Sequence, residues 1–221
     1  MTRLDSRCYI TSMRGVADAE LLTRWRSGDQ HAGEELFDRL YPMVERFFVN
    51  KLTTEVDDLV QETFRLCVEC RDRVAAPDKF RGFMMSIAYR VFCAHLRERY
   101  RAEGNSVDWT TLSIKSLSPS PSSLVAERRE LRLLLEGLRT IPIEYQIILE
   151  LHYWEDMTTA DIGAVLDTPV GTIRSRLRRG RELLEEAMTR LAQSHDELRS
   201  TLSRLEDWAR ACSRESVMRS A

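Results

Sequence analysis

Apolar residues recur every three or four positions through most of the first hundred residues, which is the spacing of a helix with one buried face. Ser27, Gly28 and Asp29 interrupt the pattern once, and the segment from Pro77 to Gly82 interrupts it again, because proline and glycine both disfavour helix interiors. No segment shows the alternation of a β-strand. The pattern therefore predicts a helical bundle from about Asp18 to Arg101. The apolar positions that carry it are Leu21, Leu22, Trp25, Leu36, Phe37, Leu40, Val44, Phe47, Phe48, Leu59, Val60, Phe64, Cys67, Phe83, Ile87 and Val91.

Residues 103–123 differ from both flanks, since serine, threonine and proline dominate and charges are few. The run SLSPSPSSL cannot continue a helix and is typical of an extended linker. Helical spacing returns at Glu127, and a further helix begins near Pro142. The sequence thus predicts an all-α protein with two small helical domains, a flexible linker and a C-terminal helical extension. The predicted segments are an N-terminal extension (1–17), a first domain (18–101), a linker (102–125), a second domain (126–190) and a C-terminal amphipathic helix and tail (191–221).

The segment TTADIGAVLDTPVGTIRSRLRRGRELL, residues 158–184, has the pattern of a helix-turn-helix. Thr158 and Asp161 have capping-box spacing, and we predict a break at Asp167 followed by a second helix with Thr168 as its cap and Pro169 in its first turn. In that second helix, apolar residues would face inward and a polar, basic set would face outward. The outward set is Thr172, Arg174, Ser175, Arg176, Arg178 and Arg179.

Arginine is a good helix former, so this outward face could simply be solvated. A solvated face usually carries acids for i,i+4 pairing, however, and none occurs between Asp167 and Glu182. Arginines in this arrangement can bind phosphates or guanine edges in a major groove. The pattern therefore favours a DNA-contacting helix.

The whole chain has a formal charge of −2, with 31% charged and 43% hydrophobic residues, so any DNA-binding surface must be local. No apolar run approaches the roughly 20 residues that span a bilayer, and Met1 to Val16 lacks a signal-peptide core. We expect a cytoplasmic protein without membrane insertion. Neither a phosphate-binding glycine loop nor a nucleophile elbow is present, so we expect no enzyme and no cofactor.

Five scattered cysteines argue against a disulfide framework. Cys67 and Cys70 form a CxxC, but the chain offers no second pair for a zinc site. Their helical spacing among apolar residues favours buried structural thiols over a redox sensor. A thiol enzyme using Cys67 or Cys93 lacks a histidine partner at suitable spacing.

Three segments together resemble a known family. VDDLVQETF (Val56 to Phe64), FRGFMMSIAYRVFCAHLR (Phe80 to Arg97) and the helix-turn-helix stand in the order found in bacterial sigma-70 factors of the extracytoplasmic-function (ECF) group. The resemblance covers Asp18 to about Met188. It implies a sigma region 2 helical bundle followed by a sigma region 4 helix-turn-helix, in a subunit that gives RNA polymerase core its promoter specificity.

The resemblance also implies roles for particular residues. Those on the polymerase-docking helix would be Asp57, Asp58, Leu59, Gln61 and Glu62, although this edge could otherwise be a solvated acidic face. Those reading the melted minus-ten element would be Lys79, Phe80, Arg81, Tyr89, Arg90, Arg97 and Arg99, with Arg101 adding charge. The outward set of the helix-turn-helix would read the minus-thirty-five element. Expected partners are the clamp and flap regions of polymerase core, duplex and melted promoter DNA, and a possible anti-sigma factor.

The chain departs from the family pattern at three positions of the minus-ten helix, where Phe83, Arg90 and Ala94 replace the usual tryptophan, asparagine and aspartate. Trp109 is unusual for a tether. Met13 could be the true start. After the helix-turn-helix, a heptad pattern predicts that a helix continues to Ala211, with interface positions Leu184, Met188, Leu191, His195, Leu198, Leu202, Leu205, Ala209 and Cys212.

A second interpretation comes from a different class of protein. A free-standing helix-turn-helix regulator could use the N-terminal bundle to sense a signal or to dimerise. The DDLVQETF edge and the arginine-bearing helix after Pro77 argue against it, since a sensor domain has no reason to combine them.

Overall fold

The computed structural model describes residues 17–191 except 75, 105, 109–111 and 115–128. This part of the chain is helical and contains no strand, which confirms the predicted all-α class. Two 3₁₀ turns, Arg71–Arg73 and Pro77–Lys79, separate the third and fourth helices. The helices are α1 (17–26), α2 (Gln30–Val49), α3 (Val56–Cys70), α4 (Phe80–Ala102), α5 (Arg129–Thr140), α6 (Ile143–Tyr153), α7 (Thr159–Leu166) and α8 (Val170–Leu191).

The first lobe consists of α1 to α4. Asp29 begins α2 as its N-cap, because its carboxylate accepts a hydrogen bond from the Ala32 amide at 3.1 Å. The predicted apolar faces of the four helices meet in one core, in which Phe48 and Phe92 are fully buried. Trp25 and Phe37 make an edge-to-face contact at 5.1 Å between ring centroids, which fixes α1 against α2.

The second lobe consists of α5 to α8. Helix α8 packs on both α5 and α6, and two small residues permit the close approach. A Cβ atom at Gly137 would lie 2.9 Å from Met188, and one at Gly180 would lie 3.3 Å from Tyr145. The described part of α8 buries Leu184 and Met188, so the first positions of the predicted heptad pattern face the core of this lobe.

Part of the predicted linker also belongs to the second lobe. Leu112 and Ile114 are buried, and the Leu112 carbonyl accepts a hydrogen bond from the Ile143 amide at 2.8 Å. The linker is therefore anchored at 112–114, next to the start of α6. The apolar side chains at 112 and 114 explain this attachment, since burying them stabilises the folded lobe.

The two lobes contact each other mainly through α4 and α7. Their buried side chains form one continuous apolar cluster, to which Met84 contributes from α4 and Ile162 from α7. None of the described helices is both long enough and apolar enough to cross a membrane. Several predicted features lie outside the described residues: the N-terminal extension up to residue 16, Trp109, and the heptad positions after Leu191, including His195.

Candidate nucleic-acid interface

The predicted capping box at the start of α7 is confirmed. The Thr158 hydroxyl accepts from the Asp161 amide at 3.2 Å, and the Asp161 carboxylate accepts from the Thr158 amide at 3.3 Å. Helix α7 ends at Leu166, and Asp167 adopts the left-handed conformation with a φ of 50°. The break between the two helices thus lies where the sequence predicts it.

The turn between α7 and α8 is tight. The Thr168 amide donates to the Gly163 carbonyl at 2.9 Å, and a Cβ atom at Gly163 would lie only 2.8 Å from the Thr168 carbonyl oxygen. The start of α8 differs by one residue from the prediction, since the helix begins at Val170 and the Ile173 amide donates to the Pro169 carbonyl at 3.0 Å. Thr168 does not cap the helix with its side chain, because its hydroxyl donates to the Leu166 carbonyl instead.

Helix α8 presents the predicted basic face to solvent. Its opposite face is buried through Ile173 and Leu177, as the apolar spacing predicts. Of the six predicted minus-thirty-five residues, two are half-buried, Thr172 and Arg176, and four are exposed, Arg174, Ser175, Arg178 and Arg179.

Two arginines of this basic face form ion pairs with nearby glutamates. Arg176 pairs with Glu144 of α6 at 3.2 Å, and Arg179 pairs with Glu182 at 3.1 Å. Arg174 forms no ion pair with any described residue. The charge of the face is thus least balanced at the N-terminal end of α8, where a recognition helix meets base edges.

The predicted minus-ten residues lie on α4 and the turn before it. Three of them are exposed (Lys79, Arg90 and Arg97), three are half-buried (Arg81, Tyr89 and Arg99), and Phe80 is fully buried. Phe80 therefore presents no stacking face in this arrangement, whereas Tyr89 is partly accessible. Burial raises the pKa of Tyr89, with Cys93 acting in the same direction and the charges of Arg97 and Arg176 opposing it. Arg176 of α8 is thus near enough to α4 for its charge to act on this pKa.

One further arginine positions the turn before α4. The Arg26 guanidinium of α1 donates to the carbonyl oxygens of Arg71 and Val74, the latter at 2.8 Å. It thereby ties the end of the α3 segment to the beginning of the predicted minus-ten loop. Sequence reasoning missed Arg26, because hydrogen bonds between residues 45 and 48 positions apart leave no local pattern.

The predicted polymerase-docking residues lie on one edge of α3. Asp57, Asp58 and Gln61 are exposed, whereas Leu59 is half-buried against the core. Glu62 pairs with Arg65 at 2.7 Å. Since α3 packs on α2 and α4 and its opposite face is buried, its acidic edge is free to meet a partner from outside the lobe.

Cys67 and Cys93 are buried thiols of the first lobe, whereas Cys70, the second cysteine of the CxxC, is only half-buried at the end of α3, contrary to the prediction. Burial raises the pKa of the Cys67 thiol to about 12, and burial also raises the pKa of Cys93. Both groups stay protonated at neutral pH, and only a thiolate is a good nucleophile or metal ligand. Among the described residues, no group of histidine, cysteine and acidic side chains is arranged to hold a metal ion.

The amino-acid sequence is similar to a known protein family and to known proteins. Residues 131–184, which include the helix-turn-helix, match the family "Sigma-70, region 4". The chain is 28% identical over 161 residues to the ECF RNA polymerase sigma factor SigE of Mycolicibacterium smegmatis, covering 73% of this chain and 60% of that protein. It is 24% identical over 174 residues to the ECF RNA polymerase sigma factor SigW of Bacillus subtilis, covering 74% of this chain and 92% of that protein.

The fold is also similar to a solved structure. The sigma factor RpoE of Bartonella quintana, in complex with the anti-sigma factor NepR, superposes with a TM-score of 0.56 at 18% identity. The similarity covers 71% of this chain and 96% of that one. The two-lobed helical architecture therefore recurs in a solved structure.

Proposed function

We propose that this chain, which belongs to the ECF group of the sigma-70 family, directs RNA polymerase core to specific promoters. The observation that carries the proposal is the pairing of two surfaces on separate lobes. One is the arginine face of α8 in a helix-turn-helix, and the other is the exposed acidic edge of α3. Promoter-specific initiation that requires both core and this chain is the test.

The two lobes would divide the work. The acidic edge of α3 would dock on the clamp of polymerase, where opposite charges speed association and fix orientation. The cations around α4 would follow the melted strand, while Tyr89 offers a surface on which an unpaired base can stack. The N-terminal half of α8 would enter the major groove of the minus-thirty-five element, with the flap of polymerase near the same lobe.

The proposal includes the place of action and a regulator. The protein would work in the cytoplasm, where RNA polymerase and promoter DNA are found, and it would contribute binding energy rather than catalysis.

The Bartonella RpoE was solved with an anti-sigma factor, and by analogy a protein partner could restrain this chain. The free-standing regulator is not favoured, because the similar curated proteins are RNA polymerase sigma factors.

Replacing Arg176 by alanine is expected to weaken recognition of the minus-thirty-five element about tenfold or more. A good contact between an arginine and a base contributes about 1–3 kcal/mol of discrimination, and about 1.4 kcal/mol of that corresponds to a tenfold loss. Initiation from promoters with an intact or a scrambled minus-thirty-five element measures the effect. Arg190→Ala is the matched control, because this exposed arginine lies on the same helix, about 21 Å away. Equal losses from both variants would contradict the assigned role.

Replacing Asp58 by arginine is expected to lower the affinity for polymerase core about tenfold, since it puts a positive charge where a basic partner docks. Binding of the labelled variant to core at several salt concentrations measures this effect. Asp38→Arg makes the same charge change at an exposed position of α2 and is expected to bind like the wild type. If both variants bound core with wild-type affinity, the acidic edge of α3 would not be the docking surface.

A further inference from the structure

The α3–α4 loop, described at residues 71–74 and 76–79, contains two separate 3₁₀ turns. The first turn closes through a hydrogen bond from the Val74 amide to the Arg71 carbonyl at 3.4 Å. The second closes through a local bond of 2.9 Å that the Lys79 amide donates. These bonds stay within each turn, so the place of the first turn in the lobe is set by contacts from elsewhere.

Arg26, at the end of α1, joins the first turn to the rest of the lobe. Its guanidinium donates to the Arg71 carbonyl through Nε at 3.1 Å and to the Val74 carbonyl at 2.8 Å. It also lies 3.8 Å from the Asp72 carboxylate, and only 24% of the Arg26 side chain is exposed. A guanidinium carries its donors in a planar fork, so one arginine can hold two carbonyls at once. The backbone of the first turn is thereby fixed to α1.

Trp25, the neighbour of Arg26, holds the side chain of the same turn. The Arg71 guanidinium lies over the Trp25 indole, 4.7 Å from the ring centroid, where the cation is attracted to the ring face. The indole is buried and packs on α2 at Gly33, since a Cβ atom at that position would lie 2.6 Å from the ring. Both the backbone and the side chain of Arg71 are therefore held by α1.

The end of α1 is itself well supported. Arg24 pairs with Asp29 at 2.7 Å, and Asp29 is also the N-cap of α2. Between them, Gly28 has a φ of 102°, which suits the tight turn from α1 into α2. Trp25 and Arg26 thus extend from a fixed helix end toward the α3–α4 loop.

We propose that Arg26, together with Trp25, is a positioning residue for base recognition, because it holds the α3–α4 loop in the conformation that accepts an unpaired base of the minus-ten element. The inference rests on the proposed function and adds α1 to the parts of the chain that determine promoter specificity. An unpaired base is read through hydrogen bonds to its edge, and these need donors and acceptors at fixed positions. The exposed polar side chains of the loop are Asp72, Arg73, Asp78 and Lys79.

Replacing Arg26 by lysine tests the proposal in the complex of core polymerase with the full chain. Lysine keeps the charge but has its donors on one nitrogen, so it cannot reproduce the fork that holds both carbonyls. Fluorescence anisotropy compares promoter templates in which each minus-ten base is changed in turn. We expect discrimination at one base position to fall about tenfold, which is the effect of losing one good base contact, while discrimination at the other positions is unchanged.

Hydrogen exchange in the free chain reports on the loop without DNA. Amides of the α3–α4 loop are expected to exchange about tenfold faster in Arg26→Lys than in the wild type, since the brace from α1 is lost. Arg24→Lys is the matched control, because it makes the same change at an exposed position of the same helix, and it should behave as the wild type does in both measurements.

Circular dichroism checks that each variant is folded. If Arg26→Lys does not fold, Arg71→Met replaces it, because methionine keeps a long side chain over Trp25 and removes the charge that the ring attracts. The same loss of discrimination at one base position and the same faster exchange are expected from this second variant.

Unchanged exchange in a folded variant would overturn the holding of the loop by Arg26. Faster exchange with unchanged base discrimination would overturn its role in recognition, and so would an equal loss of affinity for every template. Core-dependent initiation by the wild-type chain is measured in parallel, because its absence would overturn the proposed function, while the exchange data would still report on the loop.

Discussion

Glu150→Ala is expected to lower the free energy of unfolding by about 3–5 kcal/mol, one of the largest effects of any single substitution in this protein. The change removes the carboxylate that faces the Lys51 ammonium, and Lys51 is completely buried. Burial already lowers the pKa of Lys51 and raises that of Glu150, so each charge depends on its partner. Urea denaturation followed by circular dichroism measures the loss.

Two further variants separate the ion pair from the general effect of truncation. The double variant Lys51→Met with Glu150→Leu should recover most of the stability, because apolar residues of similar volume can replace a buried ion pair without penalty. Glu185→Ala, at an exposed position of α8, should change stability by less than about 0.5 kcal/mol. If Glu150→Ala lowered the free energy of unfolding by less than about 1 kcal/mol, the Lys51 ammonium would not depend on its partner, because water would hydrate it readily in the variant.

Gly163→Ala is expected to disable the helix-turn-helix. Its Cβ atom would lie 2.8 Å from the Thr168 carbonyl oxygen, and a backbone atom cannot move aside as a flexible side chain can. Alanine normally favours a helix over glycine by about 0.5–1 kcal/mol, but overpacking costs about 1–3 kcal/mol, so the clash dominates. We expect loss of stability together with at least tenfold weaker dependence of initiation on the minus-thirty-five element.

Gly171→Ala is the matched control for that substitution. Gly171 lies in the first turn of α8, is exposed, and has no atom within 4 Å of the position a Cβ would take. The same chemical change should therefore be neutral or slightly stabilising there. Wild-type promoter recognition by Gly163→Ala would contradict the tight packing of the turn between α7 and α8.

Much of the fold could be predicted from the sequence, because the signals are local. The spacing of apolar residues predicts which faces of α1 to α4 are buried, and the predicted positions Leu22, Phe48 and Cys67 are fully buried. The Thr158 and Asp161 capping box is visible as a three-residue spacing and forms as predicted. The start of α8 was displaced by one residue, because either Thr168 or Pro169 can precede a helix and only the packed turn decides between them.

The contacts between distant residues could not be predicted. Lys51 and Glu150 are 99 positions apart, and neither residue differs in local pattern from an ordinary surface charge. Arg26 holds the carbonyls of the loop before α4 for the same kind of reason. Leu112 and Ile114 lie in a segment whose composition is typical of a tether, so their anchoring depends on a pocket that only the folded second lobe provides.

The candidate site was partly accessible to sequence reasoning. The exposed arginines of α8 follow from helical periodicity, and the acidic edge of α3 is exposed as the resemblance implies. Which of the α4 cations are engaged by the other lobe depends on the arrangement of the lobes. Lys79 and Arg81 carry the residue types of a DNA-binding surface, yet in the structure both face carboxylates. The roles of all these residues in promoter reading stay predictions.

Reconstituted transcription shows whether this chain directs RNA polymerase core to promoters. Bacterial core polymerase, this chain and a library of promoter templates are combined, and transcript start sites are mapped with and without each protein. We expect initiation at a defined subset of promoters only when core and the chain are both present. The chain alone should bind duplex promoter DNA weakly. Tight, sequence-specific duplex binding by the chain alone, together with no initiation in the presence of core, would contradict the proposed role as a sigma factor.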